Sequence, residues 1–463
     1  MDNSGAVPPR RLLDRLRRRG SRRRGPRLAL EVGPDLDDRD AQRVHDVVTH
    51  LLGRHDTTTQ RADVSAIADA YSALSDRGRV RFFSMLARDF WTDPVAVDHA
   101  IAARIASAGD AQRRATERDL RRALVPPAAR LLQLFTAIDD GVKFLIDLRA
   151  DELRLAADRV LAPDDASALA DLDQELKAQL AMLFDAGLLE LRRITWDAPA
   201  ALLEKLIEYE AVHAIGSWTD LKNRLDYDRR CHAFFHPAMA NEPLVFVEIA
   251  LTTGTPAELA PLLDTHAPDL DPEQADTAVF YSISNCQPGL AGVNLGTALI
   301  KQVVEQLRHD LPRLQRFVTL SPIPGYRAWL DTALHEGDLR AHERELLPAA
   351  PERVLARLAD TDWDADEATR PALVALCARY LTTSRDGRAL DSVANFHLAN
   401  GAVIDRINWL ADPSTTGRER SATLMANYAY EPDRIAARAE AYAGHGEIAA
   451  SAAVRDLLAK AGH

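Results

Sequence analysis

The sequence predicts an α+β protein: an N-terminal all-α helical bundle followed by an α/β domain with a mixed sheet. Three observations carry that reading. Helix-period apolar stripes run from about residue 40 to 195. Beyond Trp196, short runs rich in β-branched and aromatic residues begin. A strand, a glycine-rich turn and a helix then follow one another between Phe280 and Leu307.

The chain opens on a basic segment, with ten arginines against two aspartates in the first 27 residues, and residues 1–39 read as a disordered, solvated tail. The bundle spans 40–195. Val44, Val47, Val48, Leu51 and Leu52 form one core-facing stripe, Val80, Phe83, Ala87 and Phe90 a second, and Leu169, Leu172, Leu176, Leu180, Leu183 and Phe184 a third. Prolines fall between these runs, at Pro126, Pro127 and Pro163, as expected of antiparallel helices joined by turns. We assign this part to scaffold and oligomer contacts.

The second domain spans 196–463. Strands are expected at 244–251, 278–283 and 317–320, and a hairpin at 395–398 and 402–409 around Ala399-Asn400-Gly401. Helices are expected at 295–307 and in an insertion around 338–385.

Composition bounds the function. Apolar residues at 47% and charged residues at 27% are those of a globular protein, and no apolar run approaches the ~18 to 20 residues a membrane helix needs. A net charge of −12 argues against nucleic-acid binding by the folded body, which needs a basic face. The three cysteines, Cys231, Cys286 and Cys377, are too scattered for a disulfide framework, which fits a cytoplasmic protein. His232 and His236 have the i, i+4 spacing of metal ligands on a helix, but no third ligand group accompanies them, so no metal is expected.

Gln287-Pro-Gly289-Leu-Ala-Gly292-Val-Asn294-Leu-Gly296 carries the strongest chemical signal. A glycine turn feeding a helix N-terminus presents unpaired backbone N–H groups to an anion, phosphate above all. It is neither a Walker loop, since no Lys-Ser or Lys-Thr follows, nor a G-x-G-x-x-G dinucleotide fingerprint. It resembles the acyl-CoA turn of the acetyltransferase (GNAT) fold, Gln/Arg-x-x-Gly-x-Gly/Ala, with Gln287 and Gly292 in the outer places and Gly289 one position early.

Flanking motifs extend the resemblance. His236-Pro-Ala-Met, Tyr281-Ser-Ile-Ser284, Leu320-Ser-Pro-Ile-Pro-Gly325, Asn395-Phe-His-Leu, Arg406-Ile-Asn-Trp and Leu424-Met-Ala-Asn-Tyr428 stand in the same order as in the malonyl-CoA decarboxylase family, which this chain resembles over roughly residues 130–430. The resemblance implies a helical domain before a GNAT catalytic domain, assembly into a homo-oligomer through the helical domain, and conversion of malonyl-CoA to acetyl-CoA and carbon dioxide without metal or organic cofactor. It places the catalytic serine on Ser321 and the catalytic histidine on His397. Where some members carry a glutamate in the turn, this chain has Asn294.

The chemistry agrees with a serine and a histidine. A β-carboxy thioester loses carbon dioxide to give an enolate, so the protein need only orient the carboxylate, place donors at the oxyanion and deliver a proton. Tyr428 is a possible proton relay, and Ser284, His236 and Arg406 join the turn residues as candidate substrate contacts. Two alternatives stay open: an acyl-CoA-dependent N-acyltransferase on the same fold, and a non-catalytic acyl-CoA sensor.

Overall fold

The computed structural model describes residues 30–53, 57–157, 163–293, 295–358, 360 and 367–459. Asn294 and most of the basic tail, residues 1–29, lie outside the described residues. Residues 30–37 differ from the expected disorder: Leu36 is buried, and the Ser75 backbone N–H donates to the Pro34 carbonyl at 2.8 Å.

The described chain divides into two compact units at Leu180/Ala181, ahead of the boundary expected at 195/196. The first is all helix, running from Asp38–Gly53 to Pro163–Leu183. Its helices begin where capping chemistry allows: Ser75 Oγ accepts from the Gly78 N–H, and Asp93 accepts from the Val95 N–H beside Pro94 at the first helical position. Val44, Val48, Leu51, Phe83, Ala87, Phe90, Leu169, Leu172, Leu176, Leu180 and Phe184 are buried, while Val47, Leu52, Val80 and Leu183 of the same stripes are only half-buried.

The second unit holds an eight-stranded mixed sheet. Its strands are β1 Glu190–Ile194, β2 Arg229–Phe235, β3 Pro243–Thr252, β4 Thr277–Asn285, β5 Arg316–Thr319 and β6 Ser321–Pro322, then, beyond a small hairpin of β7 Ser384–Arg385 and β8 Arg388–Ala389, β9 Val403–Asn408 and β10 Met425–Ala429. The order is β1-β2-β3-β4-β5-β10-β6, with β9 also on β10. Among the described strands β4 and β5 are the one parallel pair, joined by the crossover helix Gly296–Asp310. β3 is buried along nearly its whole length, which explains its unbroken apolar run.

The insertion around 338–385 consists of helices Ala341–Leu346, Pro351–Leu358 and Arg370–Thr382, the last reaching the β7–β8 hairpin. Two readings are corrected. β1 and β2 were not among the expected strands; β1 is a polar edge strand whose sequence, Glu-Leu-Arg-Arg-Ile, carries little alternation. The strand expected at 395–398 is instead part of a helix, Ser392–Ala399, capped by Asp391, whose carboxylate accepts from the Val393 and Ala394 N–H groups. Asn400-Gly401 ends that helix rather than turning a hairpin; Gly401 has φ +79° and a β-carbon there would strike the Ile435 carbonyl at 2.1 Å. β9 pairs with β10 instead.

Candidate active site

The junction of β5 and β6 builds the site. Both strands pair with β10, Val318 opposite Ala429 and Ser321 opposite Ala426, with Leu320 between them. Thr319 and Ser321 therefore project on one side, and Ser321 Oγ lies 2.9 Å from Thr319 Oγ1. The Asn427 side chain donates to the Thr319 carbonyl at 2.7 Å, and the Tyr428 N–H donates to Thr319 Oγ1 at 3.1 Å.

The Ser392–Ala399 helix brings His397 to this point. Its Nε2 lies 3.0 Å from Ser321 Oγ, across 76 residues of sequence, and its Nδ1 lies 2.8 Å from the Tyr430 hydroxyl. Tyr428 and Tyr430 share one face of the chain leaving β10. Tyr428 stacks on the imidazole with ring centroids 4.4 Å apart and 28° between planes, while Tyr430 supplies the hydrogen bond. Burial pushes His397 down to about 3 and drives both tyrosines well above their usual range.

The proton positions follow from the partners. The Tyr430 hydroxyl has no other partner among the described residues, so donation to Nδ1 leaves no buried donor unsatisfied. That places the ring proton on Nε2, facing Ser321, whose own hydroxyl points to Thr319 or to a ligand.

Ser321 and His397 line a cavity of about 230 Å³ together with Ser282, Asn285, Val393 and Phe396. No lysine, arginine, aspartate or glutamate is among its described lining residues. Asn285 and Phe396 also line a second, larger groove of about 1110 Å³, so the two spaces adjoin. Gln287, Gly292 and Gly296 border the groove. Gln287 is held by donation to the Pro243 carbonyl at 3.0 Å, and Gly292 has φ +75°. Gly296 must lack a side chain because a β-carbon would lie 2.6 Å from the Phe396 ring.

The remaining sequence candidates lie elsewhere. Gly289 is buried in the turn and does not border the groove. Ser284 Oγ donates to the buried Glu210 carboxylate at 3.0 Å and lines neither space. His236 packs on Phe184 and accepts the Ala238 N–H, far from a ligand role; burial lowers its pKa. Arg406 donates to Asn427 Oδ1 and to the Thr255 and Pro256 carbonyls, so it braces the strand behind Ser321 rather than meeting a phosphate. The Tyr428 hydroxyl is buried with no partner among the described residues, and Tyr428 is not among those lining the cavity. Sequence reasoning missed Tyr430, Thr319 and Ser282, although Tyr428-Ala-Tyr430 and Thr319-Leu-Ser321 are period-2 pairs that mark one strand face. Among the described residues no cluster of three or more metal-ligating side chains occurs.

Residues 187–463 match the family described as malonyl-CoA decarboxylase C-terminal domain, and residues 90–184 match malonyl-CoA decarboxylase N-terminal domain. The chain belongs to the malonyl-CoA decarboxylase family. It is 35% identical to the mitochondrial malonyl-CoA decarboxylase of Anser anser anser, covering 82% of this chain and 80% of that one. The rat protein of the same name is 34% identical over 94% of each chain. Crystal structures of malonyl-CoA decarboxylase from Agrobacterium vitis and Rhodopseudomonas palustris superpose with TM-scores of 0.82 and 0.79, each at 37% identity over 90% of this chain and 99% of the other. No described helix is long and apolar enough to cross a membrane.

Proposed function

We propose that this member of the family is a malonyl-CoA decarboxylase, a carboxy-lyase converting malonyl-CoA to acetyl-CoA and carbon dioxide. The observation that carries the reading is the 3.0 Å pairing of Ser321 Oγ with His397 Nε2 in a small uncharged cavity that opens onto a groove bordered by a glycine turn. The Leu290, Ala291, Val293 and Leu295 N–H groups already donate within the turn, so the Gly292 N–H and the N-terminal N–H groups of the Gly296–Asp310 helix bind the diphosphate; the pantetheine arm follows the groove past Phe396, and the malonyl group enters the cavity.

Within it the carboxylate meets no cation among the described residues. A lysine or arginine there would stabilise the charged ground state more than the transition state, in which charge leaves the carboxylate. The bond from Cα to the carboxylate breaks, carbon dioxide departs, and the electron pair is delocalised onto the thioester oxygen as an enolate. The thioester is its own electron sink, so the proposal assigns no cofactor or metal. Ser321 delivers its hydroxyl proton to Cα and a solvent proton, the one consumed overall, restores the hydroxyl, while the Nε2–H of His397 donates a hydrogen bond to the Ser321 oxygen and stabilises its transient alkoxide. Because His397 is pushed down to about 3, it acts as a neutral donor and not as an imidazolium.

Incubation with carboxyl-labelled malonyl-CoA tests this. Labelled carbon dioxide should be released with no acceptor present, and Ser321→Ala or His397→Asn should lower turnover by ~10²-fold to ~10⁴-fold in a folded protein. Acceptor-dependent thiol release would instead make the protein an N-acyltransferase, and tight binding without turnover would make it a sensor.

The same proposal includes self-assembly. Helices Pro94–Ala106 and Asp110–Ala123 contain no buried residue, while Val95 and Ile105 are 75% and 79% exposed and Val125 is 57% exposed. A second copy covering this face is the simplest explanation of apolar residues so placed. Ile105→Glu should then lower the mass measured by light scattering. The cytoplasm is the proposed location, for which three buried unpaired cysteines argue.

A further inference from the structure

We infer that Arg388 recognises the ribose 3′-phosphate of CoA, making this decarboxylase selective for CoA over thioesters that lack that phosphate. The inference rests on the decarboxylase reading and adds a contact to it. The glycine turn offers neutral N–H groups, which suit the diphosphate but leave the phosphomonoester, the most highly charged group of CoA, without a counter-ion. Apart from His445, Arg388 is the only basic side chain among the described residues bordering the groove.

Its placement is fixed. Asp386 and Gly387 both have positive φ, 52° and 75°, the two-residue turn that matches the twist of a hairpin, and Arg385 pairs with Arg388 across it. The Ala389 N–H donates to the Tyr442 hydroxyl at 2.7 Å, and that hydroxyl donates to Asn395 Oδ1 at 2.7 Å. Gly446 packs so closely that a β-carbon there would lie 3.0 Å from Gly387 Cα. The hairpin is thus tied to both the Ser392–Ala399 helix and the Ile435–His445 helix that border the groove. The guanidinium itself is exposed, with no hydrogen bond or ion pair among the described residues, and its planar fork matches a phosphate bidentately. Asp386 borders the same groove and opposes an anion, so the sign of this wall depends on Arg388.

Malonyl-CoA and malonyl-3′-dephospho-CoA, each with wild-type protein and Arg388→Ala, test the inference. Loss of one charge-assisted contact should lower kcat/KM on malonyl-CoA by about 10-fold to 100-fold, carried by KM. The wild type should lose the same factor on the dephospho substrate, and the variant should lose nothing further. Equal losses by the variant on both substrates would assign Arg388 to the diphosphate or to the hairpin and overturn the inference, as would no loss on malonyl-CoA. Calorimetric binding of CoA and 3′-dephospho-CoA to the same two proteins needs no turnover, so the inference stands or falls there even if no carbon dioxide is released.

Discussion

His397 Nδ1 and the Tyr430 hydroxyl lie 2.8 Å apart in a fully buried site, and this single contact sets which face of the imidazole carries the proton toward Ser321. The neighbouring tyrosine, Tyr428, touches the same ring through its face and leaves its hydroxyl without a partner. Two tyrosines of one strand face thus hold one histidine by different means.

Tyr430→Phe and Tyr428→Phe should therefore separate. The first leaves Nδ1 an unsatisfied buried acceptor, a loss of about 1 to 3 kcal/mol, and should reduce kcat by roughly 10-fold to 100-fold. The second removes a hydroxyl that pairs with nothing and keeps the stacked ring, so kcat should stay within about twofold and the urea midpoint should hold or rise. Steady-state kinetics on both variants decide; equal losses would refute the distinction.

The pH profile of turnover should show no inflection near 6.5 from His397, because burial holds it neutral down to about 3. Stability should respond instead. The unfolded histidine takes up a proton near 6.5 and the folded one does not, so stability is full above that pH and is lost as pH falls toward 3. His232, lowered to about 4 by burial and by Arg193 and Arg230, adds a second share. The drop in urea midpoint between pH 7 and pH 5 should shrink in His397→Asn.

Glu152 carries the opposite dependence. Burial, then the charge of Asp173, raises its carboxyl to about 8 in the helical unit, whereas the unfolded chain ionises it near 4.5. Its contribution is full below about 4.5 and is lost as pH rises through 8. Glu152→Gln should flatten the fall in melting temperature between pH 6 and pH 9, and an unchanged slope would sink the assignment.

Gly296→Ala should act on substrate rather than on chemistry alone. The added methyl group would meet the Phe396 ring at 2.6 Å, and that ring stands where groove and cavity adjoin. Overpacking of this kind costs about 1 to 3 kcal/mol, and the displaced ring should raise KM several-fold. Kinetics and urea unfolding of the same variant read both effects.

The helical stripes were legible because their apolar residues recur at helical spacing, and strands β3, β4 and β5 because they are short apolar, β-branched runs buried on both faces. The Ser392–Ala399 helix was not. Asn-Phe-His-Leu before Ala-Asn-Gly carries a hairpin signal, and only the Asp391 cap and the buried Ala394, His397 and Leu398 at helical spacing reveal the true period. The real two-residue hairpin, Asp386-Gly387, joins strands too short to alternate. Ser321 and His397 became visible through family motifs, since nothing local links residues 76 apart; Arg406 and His236 look reactive in sequence, yet both serve neighbouring backbone and side chains.

A cavity whose described lining residues offer only hydroxyls, amides, an imidazole and apolar groups bears on the release of product from the site proposed above. In the proposed placement, with no charged side chain among the described lining residues to grip the departing carboxylate, malonyl and acetyl thioesters would be held almost entirely by the nucleotide and pantetheine they share. Acetyl-CoA should accordingly compete with malonyl-CoA at comparable concentrations, and progress curves should slow as product accumulates. Throughput is then throttled by the ratio of the two thioesters, a brake that requires no separate regulatory site.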